Sequence, residues 1–444
     1  MKKITPLFLL ISTLFSLSAW AEDISYEQYK AEQAAEYQDY LKQNWEAFEV
    51  FKADRQAPRP KPKVQPLLKE SGISIKPTTA PPVLPRDSVD EFMGHPVPVT
   101  PEGLPPSLKL NQIEKPALTA FWLKAQEFLR QSGLKEELLH YRQQYRLGDW
   151  AYFQLVKHIS ERISPNTLSA QALSWVSLTE SGYDARLGYN NNQLSLLLPV
   201  KEKVYGVNYL TIGQRRFYMF WGEIKGQLFT YRQPYGQGKQ QLRVNFLKTM
   251  RLPRKRLSTR RFEFEEDRKI KHYEAVIDLD HNRLIQSYPQ IEMVEYFKAP
   301  LPDLTAASLS LSSRKLVGEQ RNVPAINTLL TAVQQGIAYQ VDEEQFGYEN
   351  YMTAEELLYH GTGDCEDRSA LLSWMIRNVL KFDTVILSYP EHVALGIKGK
   401  PIKGEESVSY RGKSYVVADP SYLGAAMGQV IPQVRGENPV TIEF

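Results

Sequence analysis

Gly361-Thr362-Gly363-Asp364-Cys365-Glu366-Asp367 carries the only cysteine of a 444-residue chain, and the reading of this run decides the fold. Gly361 and Gly363 break whatever precedes, Asp364 is a good N-cap, and Asp367 follows three residues later, close to a capping box. The next segment, Ser369 to Leu380, is rich in Ala, Leu, Trp, Met and Ile on most sides. That pattern predicts a central, buried helix beginning at the cysteine. A thiol in the first helical turn meets the positive end of the helix dipole, which favours thiolate. Asp364, Glu366 and Asp367 oppose it, so an adjacent imidazolium is needed to settle the balance.

Such a partner lies downstream. His392 is the only histidine after the cysteine and opens a strand-like run, His392-Val393-Ala394-Leu395-Gly396-Ile397. Asp419 closes a second strand signal, Ser414–Ala418, and Pro420 stops it. Both separations are 27 residues, enough for one helix or hairpin each. A carboxylate at Asp419 is suited to hold one ring N–H of His392, fix its tautomer and stabilise the imidazolium. Cys365, His392 and Asp419 are therefore the candidate catalytic residues. A lone cysteine cannot form an internal disulfide, and no histidine stands at zinc spacing from it, so a metal-ligand role is weak.

The longer run Glu355-Glu356-Leu357-Leu358-Tyr359-His360-Gly361-Thr362-Gly363-Asp364-Cys365-Glu366-Asp367-Arg368-Ser369 resembles the active-site segment of bacterial transglutaminase-like cysteine peptidases. In that pattern a GDCED-like run starts the core helix, a histidine lies on the next strand, and an aspartate, often followed by proline, lies on the one after. Tyr339 and Asp342 also resemble the family's approach to the motif. The resemblance covers about residues 322–425. It implies an α+β, papain-like core with the cysteine helix packed on an antiparallel sheet. It also implies Cys365 as nucleophile, His392 as base and acid, Asp419 as orienter, and the Cys365 backbone N–H as one oxyanion donor. The implied activity is cleavage or transfer of amide bonds of a protein or peptide through a thioester. The alternative is a non-catalytic periplasmic binding or scaffold protein built on the same core. Some relatives bind calcium near the site. Asp342, Glu343, Glu344, Asp364 and Asp367 supply oxygens, but without EF-hand-like spacing they read as acidic loop and capping residues, and no cofactor is expected.

Residues 1–21 read as a signal peptide: Lys2-Lys3, an apolar stretch from Ile4 to Leu17, then Ala19-Trp20-Ala21 with cleavage after Ala21. The expected address is periplasmic or secreted. The formal charge of +3 falls to +1 without Lys2 and Lys3, which gives no case for a nucleic-acid partner. No segment has the ~20 apolar residues of a stable membrane insertion. Residues 22–55 carry aromatic pairs at Tyr26/Tyr29, Tyr37/Tyr40 and Phe48/Phe51, each 11 residues after the last. Eleven residues make about three helical turns, so the spacing predicts one amphipathic helix with an aromatic stripe for a partner or self-association.

Residues 56–106 hold 13 of the 28 prolines in the chain and predict an extended linker with a short strand near Val89–Val99. Residues 107–225 read as helical and then β. Residues 226–321 read as β-rich, with Asp278–Arg283 as a hairpin turn and Lys248–Arg261 as a basic, solvated loop. Residues 322–444 form the expected catalytic domain. Sliding the chain by 199 lays Leu173-Ser174-Trp175 on Leu372-Ser373-Trp374 and Tyr183-Asp184 on Phe382-Asp383. Asn166, Gln193 and Phe220 then fall on Cys365, His392 and Asp419, which would make residues 107–225 a degenerate copy without catalytic groups.

Overall fold

The computed structural model describes residues 49–52, 54–55, 79–190, 193–230, 236, 238–247, 250–252 and 256–444. The chain divides into two units, residues 1–47 and 48–444, and all described residues belong to the second. The expected signal peptide and most of the expected aromatic helix lie outside the described residues. Where that helix was expected to end, the chain is strand instead: β1 (Glu49–Lys52) and β2 (Asp54–Arg55). Val50 and Phe51 are β-formers, and both segments pair with sheet edges that would otherwise leave backbone groups unpaired.

In the described half of the proline-rich segment, β3 (Glu91–Phe92) and β4 (His95–Pro96) make a small hairpin. This stretch is a tied strap rather than a spacer. Arg283 donates to Pro85 O at 2.9 Å, Arg260 to Ala80 O at 2.6 Å, and the Tyr359 hydroxyl to Pro82 O at 2.7 Å. Asp87 is held by both Arg256 and Arg283. Two arginines of the supposed solvated basic loop are thus structural ties.

Helices α1 (Lys115–Ser132), α2 (Leu134–Gln144), α3 (Asp149–Ile163) and α4 (Thr167–Glu180) follow. Asn166 caps α4, its side chain accepting the Ser169 N–H at 2.8 Å. The chain then turns to β5 (Arg186–Asn190), β6 (Gln193–Pro199), β7 (Asn208–Ile212), β8 (Arg215–Trp221) and β9 (Gln227–Thr230). Their sheet has the order β1-β9-β5-β6-β8-β7-β2.

The connector begins with a long hairpin, β10 (Leu257–Glu266) and β11 (Lys269–Asp278). Its turn is Asp267-Arg268, both at positive φ (54° and 60°), as a two-residue hairpin of this twist requires. Asp278–Arg283, expected as a hairpin turn, instead opens α5 (Leu279–Gln286). Asp278 caps that helix by accepting the His281 N–H at 3.1 Å. An aspartate serves turns and N-caps alike, and only the buried helical face beyond it separates the two. Helices α6 (Met293–Lys298) and α7 (Asp303–Val317) complete a connector that is more helical than its expected β-rich character.

The last third contains α8 (Asn322–Gly336), β12 (Ala338–Tyr339), α9 (Asp342–Gln345), α10 (Ala354–His360), β13 (Thr362–Gly363) and α11 (Cys365–Met375). The strands β14 (Thr384–Tyr389), β15 (His392–Lys398), β16 (Ser407–Tyr410), β17 (Lys413–Ala418) and β18 (Val440–Ile442) follow. They form an antiparallel sheet in the order β16-β17-β15-β14-β18, and α11 packs on β15. Every residue of α11 is buried, as the sequence predicts, and the chain is α+β.

The offset of 199 has a structural counterpart. Added to the bounds of β6, it gives those of β15, and β7 falls on β16 and β8 on β17 within a residue or two. The upstream order β9-β5-β6-β8-β7 matches β18-β14-β15-β17-β16 strand for strand, each sheet preceded by a buried helix.

Candidate active site

The approach to the cysteine is built from local signals. A capping box starts α10: the Thr353 hydroxyl accepts from the Glu356 N–H, and the Glu356 carboxylate accepts from the Thr353 N–H at 2.8 Å. Gly361 ends α10 in the left-handed region (φ 74°), where residues with a Cβ are strained. β13 then pairs in parallel with β12 and delivers Cys365 to the first turn of α11. Asp364 stands at the N-cap position but makes no side-chain cap. The expected capping box is incomplete: the Asp367 carboxylate accepts from the backbone N–H groups of Met352 (2.7 Å) and Asp364, but the Asp364 side chain caps nothing in return.

His392 and Asp419 meet directly, with Nε2 of the ring 2.9 Å from Oδ2 of the carboxylate. Asp419 also accepts from the N–H groups of Ser421 (2.9 Å), Tyr422 (3.2 Å) and Ile431 (3.2 Å). Burial opposes its ionisation, but the His392 ring and these backbone donors outweigh it and hold the carboxyl below the usual carboxylate range. An ionised acceptor at Nε2 assigns the ring proton there and leaves Nδ1 as the basic nitrogen.

Cys365 lies against the start of the same strand. Its thiol receives a backbone hydrogen bond from Val393, the residue after His392, and the Ser369 hydroxyl bonds to Val393 O at 3.4 Å. The thiol itself donates to Glu366 Oε2 at 3.0 Å. Among the described residues no hydrogen bond joins the thiol to the imidazole. Burial, Glu366 and Asp364 push the thiol pKa well above its ordinary value. Cys365, His392 and Asp419 are 1%, 3% and 0% exposed, so this is a closed, neutral-thiol arrangement.

Positioning residues complete the site, and of these the sequence singles out only Tyr339. Gln334, on α8, donates from Nε2 to the carbonyls of Asp419 (3.0 Å), Tyr422 (2.9 Å) and Ala425 (3.0 Å), pinning the loop that carries the aspartate. Arg368, on α11, donates to the carbonyls of Val333, Gln334 and Ile337, capping the end of α8. Burial lowers its pKa to about 10. Tyr339 lies below that guanidinium (5.7 Å), and burial above all, with the neighbouring acidic side chains adding to it, keeps its phenol protonated. No local spacing signals these long-range contacts.

Asp342, Asp364 and Asp367 each bring a carboxylate oxygen within 4.8 Å of the others, as do Asp342, Glu349 and Glu366. Such an oxygen-only donor set fits a hard cation. Without one, burial and mutual repulsion push the Asp364 and Asp367 carboxyls well above the usual range. Searches for related proteins find no matching family model, curated protein or solved structure.

Proposed function

We propose that the chain is an exported thiol enzyme with a transglutaminase-like, papain-like core, acting on amide bonds of proteins or peptides. The observation that carries this reading is the His392–Asp419 pair, anchored at the start of the strand whose next residue holds the Cys365 thiol. His392 Nδ1 takes the thiol proton as Sγ attacks the amide carbonyl. The backbone N–H of Cys365, without an intrahelical partner in the first turn, faces the developing oxyanion. His392 then gives the proton to the departing amine, the C–N bond breaks, and a thioester remains. Water or an amine attacks it with His392 again as base, giving hydrolysis or acyl transfer. Calcium held by the neighbouring carboxylates would supply positive charge favouring thiolate.

The upstream half reads as a duplicated core in which Asn166 takes the place of the nucleophile. The acids that raise the thiol favour a second reading, a non-catalytic binding protein on the same core. The two are separated by comparing periplasmic and surface proteins from cells carrying the native chain with those from a Cys365→Ala strain. The enzyme reading expects cleaved or cross-linked species that depend on Cys365; identical protein patterns contradict it.

A further inference from the structure

A cavity of about 180 Å³ lies between α5, α6 and α10 and is lined by none of Cys365, His392 and Asp419. Its walls are aromatic: Phe246, Tyr288, Tyr296, Phe346, Tyr348 and Tyr351. Phe246 stands 4.9 Å from Tyr296 and 5.0 Å from Tyr288, ring centre to ring centre, and Tyr351 meets Tyr296 edge-on at 5.7 Å. On the other side Phe346 meets His360 edge-on at 5.4 Å and lies 6.3 Å from the half-exposed Tyr348 ring. These rings are already ordered by one another, so a ligand meets a preformed wall of π-faces.

The charge of the cavity is one-sided. Glu356 lines it, and among the described residues no lysine or arginine does. Asp149 and Glu202 lie close enough to help burial hold the Tyr288 phenol protonated. Burial and Arg260 push His360 down to about 4, so this ring adds no positive charge at neutral pH. Arg260 reaches only the His360 carbonyl (3.2 Å), its other hydrogen bonds going to the carbonyls of Thr79 and Ala80. Amide groups of Gln290 and Asn350, bonded at 2.8 Å, complete the rim.

We propose that this cavity binds an organic ammonium group, seated against the aromatic faces with Glu356 as its counter-ion. Ring quadrupoles attract a cation over their faces, and a carboxylate in the same enclosure fixes its depth. The ammonium belongs either to a quaternary amine such as choline or to a lysine side chain, and the test distinguishes them. The site stands independently of the thiol chemistry.

The full chain is titrated calorimetrically with choline, with N-acetyl-lysine methylamide and with the uncharged carbon isostere of choline, at constant ionic strength. Saturable binding of one or both cations, and not of the isostere, is expected; whichever binds more tightly names the source. Glu356→Gln keeps the capping box, since glutamine serves at that position, and Tyr348→Ala alters an exposed ring. Each weakens binding about fivefold or more at unchanged Tm. Burial drives Glu356 up to about 7, with Glu355 adding to it and Thr353 and His281 opposing, so affinity falls as pH drops below neutral. Absence of saturable binding, equal binding of the isostere, or unchanged affinity in both variants overturns the proposal.

Discussion

Replacing Glu366 by Gln removes the carboxylate to which the Cys365 thiol donates, while keeping a side chain of the same shape. At 3.0 Å and an effective dielectric of about 20, a thiolate and this carboxylate repel by about 5 kcal/mol. Relaxation and water entry absorb much of that. If about a quarter survives, the thiolate fraction at pH 7 rises about tenfold. A less basic thiolate is a weaker nucleophile, with a Brønsted slope of about 0.4–0.5, so the net rate gain is about threefold or more. The assay is iodoacetamide alkylation of the full chain followed by intact mass. The ratio of variant to native rates cancels the slow access expected for a thiol that is 1% exposed. Native-like circular dichroism of the variant excludes unfolding as the source of any gain. An alkylation rate equal to or below that of the native chain refutes the claim that Glu366 holds the thiol neutral.

Asp419→Ala leaves the His392 ring and three backbone N–H groups without their acceptor, which should cost about 3–5 kcal/mol in a denaturant titration. The folded-state pKa of Asp419 is depressed, so its contribution is present above the usual carboxylate pKa and lost as pH falls through the folded value. Asp364 has the opposite sign: its raised carboxyl favours folding at low pH, and that contribution is lost as pH rises through the folded value. Asp364→Asn should therefore raise Tm by a few degrees at pH 8 and lose that advantage near pH 4. At Gly363 an added Cβ would lie 2.5 Å from Leu357 Cδ1 and 3.0 Å from Met352 Cε, so Gly363→Ala should destabilise by about 1–3 kcal/mol in the same titration. Asn166→Ala removes the cap of α4 at a cost of about 1 kcal/mol and should leave the alkylation rate of Cys365 unchanged.

Much of the site was legible because its signals are local. Glycines, an aspartate at the N-cap position and an apolar run mark the start of α11, and strand periodicity places His392 and Asp419 at strand ends. The 199-residue offset was legible from the few residues that the two stretches share, Leu-Ser-Trp at 173–175 and 372–374 among them. Other features have no local signature. Asp278–Arg283 carries turn-forming residues, yet Asp280 pairs with Arg256 and the segment becomes a buried helix. Phe51 fits an aromatic stripe at helical spacing equally well, and only the free sheet edge at β9 decides for strand. Gln334 and Arg368 act through backbone carbonyls 31 to 91 residues away, which spacing cannot reveal. The proline-rich segment reads as a spacer because its ties, Arg256, Arg260 and Arg283, lie some 170 to 200 residues downstream.

The central claim is that His392 activates Cys365. It is tested most directly by the pH profile of Cys365 alkylation in the native chain and in His392→Ala, read together with Asp419→Asn. The account predicts that the His392→Ala profile follows a single thiol ionisation shifted to higher pH, with the neutral-pH rate reduced about tenfold or more. Asp419→Asn should fall between the two, because the ring remains but its tautomer is no longer held. Superimposable profiles for the native chain and His392→Ala would contradict it.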